Sequence, residues 1–423
     1  MGGFSHPFLL VNFVKHDQNK IPTMNKSTFF TGQPIFHQLI QLIPRSEILK
    51  ICSQNKSDHY CKKFDTWHHL ITMLYSIYQQ CTSLREVVTG MRACEGKLHT
   101  LGIKYFTARS TLSDANYKRS HVVFEQIYYR LYQHWRHVLP DSLRREKHAS
   151  NLILVDSTTI SLFQEILRNA GKSPANGKRK GGIKVHMSVY AAEQVPYLVK
   201  MTPAITHDSN FMYDLHFPKG SVVVFDRAYH NISILKQWTD NGITWVTRRR
   251  AESVIIEEGK QKITSEEKDK GIRKDTFIQL GSKQKTQARI VRYFDADTKR
   301  TFEFVTNNRK LSALTIASLY KKRWQIELIF KRLKQNMPLK YFLGDNENAI
   351  RIQIWCALIA DLLLKIVTIG LKRKWAFSNL AALVRLHLMN YTELRKFLEN
   401  PEKTKITIEN KLTTQLKISF LTG

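Results

Sequence analysis

The residues best suited to chemistry in this chain are acids that follow short apolar runs. Asp156 comes directly after Leu152–Val155, and Asp226 comes directly after Val222–Phe225. Apolar runs of this kind are typical of central strands, and an acid that follows one lies at the edge of the sheet. The two aspartates are 226 − 156 = 70 residues apart, so they can meet only if their strands are neighbours. Either acid could instead be an ordinary turn residue.

A third acid, Glu327, lies in a segment with helical periodicity that begins near Leu311. At ~100° per residue, this acid shares one narrow polar stripe with Tyr320, Arg323 and Lys334. An adjacent apolar stripe, which can pack the helix onto a sheet, consists of Ile326, Ile329 and Leu333. The alternative is a solvated helix with ion pairs one turn apart, such as Glu327 with Lys331.

Together these acids predict a metal-dependent reaction on phosphodiesters. Carboxylate oxygens suit hard cations, and two such ions about 4 Å apart can activate a water or a 3′-hydroxyl and stabilise the leaving oxygen. We therefore predict that Asp156, Asp226 and Glu327 are catalytic and hold two Mg²⁺ or Mn²⁺ ions. The residues predicted to contact DNA phosphates or bases are Tyr320, Arg323, Lys334, Arg227 and Lys184.

The charge balance also indicates a polyanionic partner. Lys and Arg number 66 against 35 Asp and Glu, a formal net charge of +31, and phosphate neutralisation by such a surface releases counterions. A membrane surface is less expected, because the basic residues are interspersed with apolar segments. The five cysteines contain no C-x-x-C pair, which favours reduced thiols and a cytoplasmic protein.

One apolar stretch, residues 352–371, is long enough to be considered as a membrane span. It contains Asp361 and Lys365, which are one helical turn apart and can pair on one face. Charged residues within a span are rare. We therefore predict a buried helix of a soluble protein.

Periodicity divides the chain into helical and β-rich parts. Helices are predicted at 67–79, 83–94 and 113–138, the last opened by hydroxyl caps within 108–113 and either lying in a DNA groove or simply solvated. Short strands follow residue 150, a helix lies between Asn231 and Gly242, β hairpins continue to Val305, and helices extend to about Leu398. The predicted units are an upstream extension at 1–23, a helical N-terminal DNA-binding domain at 24–148, the first part of the core at 149–240, a β-rich insertion at 241–310, the core helix with Glu327 at 311–345 and a helical C-terminal region at 346–423.

Three further groups are weaker candidates. The basic residues Lys172, Lys178, Arg179 and Lys180, leading to Lys184 and His186, could grip the DNA backbone or form a solvated charge run. The dipeptide His207-Asp208 could touch the metal site or form a surface turn. Trp245 could stack on a displaced base or lie in the core.

The spacing Tyr320-x2-Arg323-x3-Glu327-x6-Lys334 resembles the Y-R-E-K signature of the IS4 family of insertion-sequence transposases. The segments 155–158 and 224–229 resemble the family's two aspartate strands, although Ala228 stands where relatives often have glycine. Segments 64–70 and 83–86 are similar to the helical N-terminal domain of one branch of the family. The resemblance extends from about residue 24 to 390.

This resemblance implies an α/β fold with an RNase H-like core and a β-rich insertion of 327 − 226 = 101 residues before the glutamate. It further implies cut-and-paste transposition through a hairpin. The implied partners are terminal inverted repeats, target DNA and a second copy of the chain in a synaptic dimer, with a location at the bacterial nucleoid.

Two other functions share these features. A nuclease or junction resolvase would use the same three acids without strand transfer, but Arg323, Lys334 and the long insertion favour a transposase. A DNA-binding repressor or an inactive copy would not need the complete Asp-Asp-Glu set. An activity assay separates these alternatives.

Overall fold

The computed structural model describes residues 32–103, 105–139, 151–161, 182–282, 284–337, 339 and 341–403. The described part has a mixed α/β architecture, in which helices precede, flank and follow one nine-stranded sheet. The predicted α/β class is therefore confirmed. The basic residues 172 and 178–180 lie outside the described residues.

Helices form the N-terminal part. Their bounds are Ile35–Ile40 (α1), Arg45–Gln54 (α2), Thr66–Gln79 (α3), Leu84–Ala93 (α4), Glu95–Leu98 (α5), Arg109–Lys118 (α6) and His121–Trp135 (α7). The single helix predicted at 113–138 is wrong, because Arg119 is extended (ψ 124°) and Ser120 caps a new helix through Val122 N. The predicted hydroxyl cap is also wrong, because α6 begins at Arg109 after Ala108, which makes no side-chain cap.

The first half of the sheet contains the strands that carry both aspartates. Its elements are Leu152–Ser161 (β1), Gly182–Tyr190 (β2), Pro196–Pro203 (β3), Val222–Phe225 (β4), the helix Ile232–Asp240 (α8) and Thr244–Arg248 (β5). The spatial order is β3-β2-β1-β4-β5, with β1, β4 and β5 parallel to one another and β2 antiparallel to both of its neighbours. The two strands predicted from the apolar runs before Asp156 and Asp226 are present as β1 and β4.

The second half of the sheet is an antiparallel extension. Its elements are Ile255–Lys260 (β6), the short helix Ser265–Asp269 (α9), Ile272–Leu280 (β7), Thr286–Asp295 (β8) and Arg300–Thr306 (β9). β9 pairs with β5, and the order continues β9-β8-β7-β6. The β-rich stretch before Glu327 is thus continuous with the sheet that bears Asp156 and Asp226.

Strand β1 is longer than its apolar run. It continues for five residues beyond Asp156, because β2 pairs with it as far as Ser161↔Gly182. The shorter β4 pairs only with residues 152–155. Asp156 was predicted to lie at the end of its strand. It lies instead within β1, at the position where the parallel partner β4 stops.

Alternate residues of β1 enter two hydrophobic clusters, as the two-residue period of a strand requires. Leu152 and Leu154 belong to the larger cluster, which includes the N-terminal and C-terminal helices. Ile153 and Val155 belong to a smaller cluster with α8 and residues 211–215. Both faces of β1 are thus covered, so its register is fixed by burial on each side.

The C-terminal part is helical. Its helices are Ala313–Lys322 (α10), Trp324–Asn336 (α11), Glu347–Thr368 (α12), Phe377–His387 (α13) and Leu394–Glu399 (α14). The buried helix predicted at 352–371 is confirmed as α12, which packs against α3, α7 and α11. Among the described residues, no helix is long and apolar enough to cross a membrane.

A buried ion pair joins α11 to α12. Arg332 Nη2 lies 2.6 Å from Asp361 Oδ2, and the Asp361 side chain is 2% exposed. Burial raises the pKa of Asp361, while Arg332 and then Lys365 oppose the rise. The predicted pairing of Asp361 with Lys365 is therefore corrected: the carboxylate reaches across to α11, where Arg332 brings a cation to Oδ2 inside the core.

We predict that Arg332→Met lowers the free energy of unfolding by about 3–5 kcal/mol, because the Asp361 carboxylate loses its buried cation. The double variant Arg332→Met/Asp361→Leu should regain most of this loss, since it leaves no buried charge. Urea unfolding of both single variants and the double variant measures the coupling. A double variant as unstable as Arg332→Met would show that packing, and not the ion pair, joins the helices.

Candidate active site

The pairing of β1 with β4 brings the two aspartates side by side. The parallel register places Val155 opposite Phe225, so the next residue of each strand is an aspartate. Neighbouring strands are roughly 4.8 Å apart. The carboxylates of Asp156 and Asp226 are close enough for Asp226 to raise the pKa of Asp156. The predicted meeting of these two residues therefore occurs.

Arg323 connects the third acid to this pair. Its Nη1 lies 2.5 Å from Asp156 Oδ2, and its Nη2 lies 2.5 Å from Glu327 Oε1. Arg323 is itself the junction between α10 and α11, where N–H groups bond carbonyls three residues back (Arg323 N to Tyr320 O, Ile326 N to Arg323 O). The single helix predicted from Leu311 is thus two helices, although all four residues of the polar stripe remain near β1 and β4.

The pKa of Asp156 records the electrostatics of this site. Burial raises it to about 6, Arg323 opposes the rise, and Asp226 and Glu327 add to it. For Arg323, burial lowers the pKa, but Asp156, Tyr320 and Glu327 together outweigh it, so the net shift is upward. The acids share one field in which a single guanidinium supplies the compensating charge.

Tyr320 holds Asp226 from the other side. Its hydroxyl lies 3.4 Å from Asp226 Oδ1, and its ring packs on Phe304 with centroids 4.7 Å apart. The side chain is buried, which raises its pKa to about 12. The predicted stacking of Tyr320 on a DNA base does not fit this packing, because Phe304 and Arg323 already cover the ring.

The remaining predicted DNA contacts differ in accessibility. Lys334 Nζ donates to the carbonyl of Thr159 on β1 at 3.0 Å, and partial burial lowers its pKa. Arg227 follows Asp226 and is exposed. Lys184 is buried, with Nζ 2.7 Å from Thr206 O and 3.2 Å from Asp208 Oδ2. The burial of Lys184 and its two protein partners do not favour the predicted contact with DNA.

A second polar network connects Asp156 to Asp208 through Ser157. The Ser157 N–H donates to Asp156 Oδ1 at 2.8 Å, and the Ser157 hydroxyl donates to Asp208 Oδ1 at 2.6 Å. Asp208 opens the 3-10 helix Asp208–Asp214 and also accepts from Lys184. The contact between Ser157 and Asp208 joins positions 51 residues apart, so the sequence around His207-Asp208 does not reveal its route to Asp156.

Two other candidates are structural. His186 is buried, stacks on Phe211 (centroids 4.9 Å apart) and bonds Tyr229 and Thr202, and burial lowers its pKa to about 4. Trp245 is fully buried and donates to Thr239 Oγ1 at 2.9 Å. The base-stacking alternative for Trp245 is therefore wrong, and its core alternative is confirmed.

The acids fit a hard cation in donor chemistry, because all of them offer carboxylate oxygens. Their arrangement reserves part of that capacity for Arg323, which lies between Asp156 and Glu327. Accordingly, no group of three or more His, Cys, Asp or Glu side chains in the described residues is close enough to hold a metal ion. A cation and the Arg323 guanidinium would compete for the same oxygens.

Two aspartates aligned in a sheet beside a helix-borne glutamate offer the carboxylate oxygens that metal-dependent phosphoryl transfer uses. Residues 147–363, just over half of the chain, match the family described as Transposase DDE domain. The chain therefore belongs to the DDE transposase family, whose members cleave DNA and transfer strands. Residues 31–104 match a second family, described only as a domain of unknown function, DUF4372.

The proteins to which this chain is similar are named as transposases. A putative transposase, y4zB, of Sinorhizobium fredii is 32% identical over 60% of this chain and 70% of its own length. A putative transposase for insertion sequence element IS4SA of Synechocystis is 27% identical over 62% and 72%. A solved piggyBac transposase synaptic complex with hairpin DNA is 10% identical with a TM-score of 0.39, covering 90% of this chain and 84% of its own. The predicted IS4-type transposase class is confirmed by the family and the relatives.

Because Asp208 reaches Asp156 only through Ser157, we predict that it positions the carboxylate. Asp208→Ala should raise the Mn²⁺ concentration needed for half-maximal DNA cleavage by about 10-fold to 100-fold. The matched control is Asp214→Ala, at the other end of the same 3-10 helix, where the carboxylate pairs with Lys200. Equal metal dependence in the two variants would show that Asp208 only stabilises the fold.

Proposed function

We propose that this chain cuts the ends of an insertion sequence and joins them to target DNA by cut-and-paste transposition, with Asp156, Asp226 and Glu327 as its catalytic residues. The observation that carries the proposal is the register Val155↔Phe225, which aligns the two aspartates. Glu327 joins them through Arg323. The acids would hold divalent cations, Mg²⁺ or Mn²⁺, which activate a nucleophile and stabilise the leaving oxygen of the phosphodiester.

Arg323 has two classes of partner in this proposal. Its planar fork fits carboxylates and phosphates equally well, and in the structure it is bound to two carboxylates. A DNA phosphate entering the site offers Arg323 the other class of partner, which frees oxygens of Asp156 and Glu327. Arg323 therefore couples DNA binding to the availability of the Asp156 and Glu327 oxygens for metal ions.

Two further cations are placed to bind the DNA backbone. Lys334 donates one N–H to the carbonyl of Thr159 and has further donors on the same ammonium group. Arg227 is exposed immediately after Asp226. With the net charge of +31, these side chains support DNA as the partner, and we propose the terminal inverted repeats and the target DNA as its two forms.

We propose that the core is RNase H-like. The order β3-β2-β1-β4-β5, with three antiparallel strands followed by two parallel ones, supports this assignment, and β6 to β9 then form the insertion. The corresponding units are an N-terminal DNA-binding domain at 24–148, a core formed by 149–240 and 311–345, an insertion at 241–310 and a C-terminal region at 346–423.

The central test is cleavage of a labelled duplex that carries the element's own terminal repeat, with Mg²⁺ or Mn²⁺. Glu327→Gln should abolish metal-dependent nicking at the repeat boundary, by roughly 10³-fold or more, because a neutral amide is a poor ligand for a hard cation. Binding of the duplex should persist. The matched control is Glu347→Gln, which changes an exposed glutamate paired with Arg351 and should leave nicking intact.

Other results would select the alternatives. Binding without cleavage by the wild type and both variants would favour a repressor or an inactive copy. Nicking that never proceeds to joining with target DNA would favour a nuclease without strand transfer. Nicking by Glu327→Gln at the wild-type rate would remove Glu327 from the catalytic set.

We also propose that two copies act together on paired DNA ends, with dimerisation through the C-terminal helices. Sedimentation of the protein with two terminal-repeat duplexes should therefore show a complex with two protein chains. A complex that contains only one chain at every protein concentration would contradict the synaptic dimer without affecting the catalytic assignment.

A further inference from the structure

A cavity of about 450 Å³ lies far from the acids in sequence, between the loop after α2 and the α6–α7 junction. Its wall includes three cations, Lys56, Lys118 and Arg119, and one acid, Asp114. It also offers the hydroxyl groups of Ser57, Thr111 and Ser120. The lining thus combines an excess of positive charge with hydrogen-bond donors, which is the chemistry of an oxyanion site.

Arg119 is the residue that points to a ligand. Its side chain is 5% exposed, and its Nη2 donates to the carbonyl of Phe64 at 2.9 Å and to Cys61 Sγ at 3.3 Å. Its Nε and Nη1 have no hydrogen-bond partner among the described residues. Leaving donors of a charged group unpaired in the interior is costly.

The nearest carboxylate does not remove this cost. Asp58 Oδ1 is 3.7 Å from Arg119 Nη2, but the same oxygen already accepts from the N–H and the hydroxyl of Thr66 at 2.6 and 2.7 Å. Asp114 pairs with Lys118 at 3.7 Å at the exposed rim. The guanidinium therefore contributes positive charge to the cavity that the surrounding acids only partly offset.

The junction that carries Arg119 is rigidly held. Asn348 of α12 donates to the carbonyls of Asn116 and Arg119 at 2.9 and 2.8 Å and accepts from the N–H of His121 at 2.9 Å. Ser120 accepts from the N–H of Val122. These first-turn donors of α7 are thus already used, so the attraction for an anion comes from the side chains and not from the helix terminus.

Three exposed tyrosines adjoin or contact residues next to the lining residues. Tyr60 and Tyr117, which neighbour lining residues in the sequence, are 93% and 67% exposed. Tyr105 is 60% exposed, with Lys63 Nζ 4.9 Å from its ring centroid. Cations beside exposed tyrosyl hydroxyls suit contacts with phosphate and sugar. A surface of this kind fits a nucleic-acid backbone better than an acidic peptide.

We propose that this cavity, formed by residues 55–64 and 111–123, binds a backbone phosphate of duplex DNA and anchors the DNA on the N-terminal helices. The inference rests on the proposed action on DNA, and it gives a binding role to a surface formed partly by the family of unknown function at residues 31–104. Lys56 and Lys118 contact the phosphate from the rim, and Arg119 supplies charge from the wall.

The test is the salt dependence of binding to the terminal-repeat duplex, measured in a Glu327→Gln background so that no cleavage occurs. Lys56→Gln/Lys118→Gln should make the slope of log K against log salt shallower by about 1, since both lysines contact the same phosphate and each neutralised phosphate contributes roughly one unit. The loss of affinity should be the same for unrelated duplexes. Both lysines are exposed, so the variant should keep the wild-type melting temperature.

The matched control is Lys236→Gln/Lys268→Gln, which removes the same charge from exposed positions on α8 and α9. It should leave the slope close to that of the Glu327→Gln parent. Equal slopes for the cavity pair and the control pair would overturn the proposal. The catalytic assignment is tested separately, with Lys56→Gln/Lys118→Gln made in the protein that retains Glu327. Wild-type cleavage by that protein at saturating DNA, together with an unchanged slope in the Glu327→Gln background, would overturn the cavity proposal and leave the catalytic assignment intact.

A second experiment uses inorganic phosphate as the probe. The cavity could instead bind free phosphate and not DNA. In that case phosphate at matched ionic strength will raise the melting temperature of the wild type more than that of Lys56→Gln/Lys118→Gln, while both proteins bind DNA with the same salt dependence. That result would also overturn the proposal. Phosphate that competes with DNA in the wild type but not in the lysine pair, together with the shallower slope, would support it.

Discussion

The parallel pairing of β1 with β4 is the constraint on which the rest of the site depends. The strands pair over four residues, and both are buried on two faces. A slip of one residue would turn Leu154 and Val224 away from the larger cluster and expose the wrong faces to both cores. Burial therefore fixes the register, and the register fixes the alignment of Asp156 with Asp226.

Bringing acids together in a partly buried place creates a charge problem. Burial and the neighbouring acids raise the pKa of Asp156, and Arg323 is the cation that offsets them. Without DNA, Arg323 is paired with the carboxylates of Asp156 and Glu327. A DNA phosphate would bind the same guanidinium, and a metal cation would bind the same carboxylate oxygens. The clustered carboxylates and the guanidinium are unfavourable to bury. These same groups can bind metal cations and a DNA phosphate.

Helix α12 connects the helix that carries Glu327 to the N-terminal helices. It contacts α3 and α7 on one side and α11 on another. Its Asp361 binds Arg332 on the helix that carries Glu327, and its Asn348 fixes the α6–α7 junction beside the cavity. One long buried helix thus supports both the proposed catalytic site and the proposed phosphate-binding cavity, although their residues lie far apart in the chain.

The sequence alone determined the class of protein, the strand run that ends at Phe225, the buried character of α12 and the four residues at Y-R-E-K spacing, because hydrophobic periodicity and fixed offsets are local properties. Tertiary structure decided the roles of individual side chains. Lys184 and His186 resemble surface cations in sequence, but pairing of β2 inside the sheet buries them. Tyr320 fits a base-stacking residue until Phe304, from a different strand, covers its ring. Partners that come from distant segments, like Asp208 for Ser157 and Arg332 for Asp361, depend on packing that no local pattern encodes.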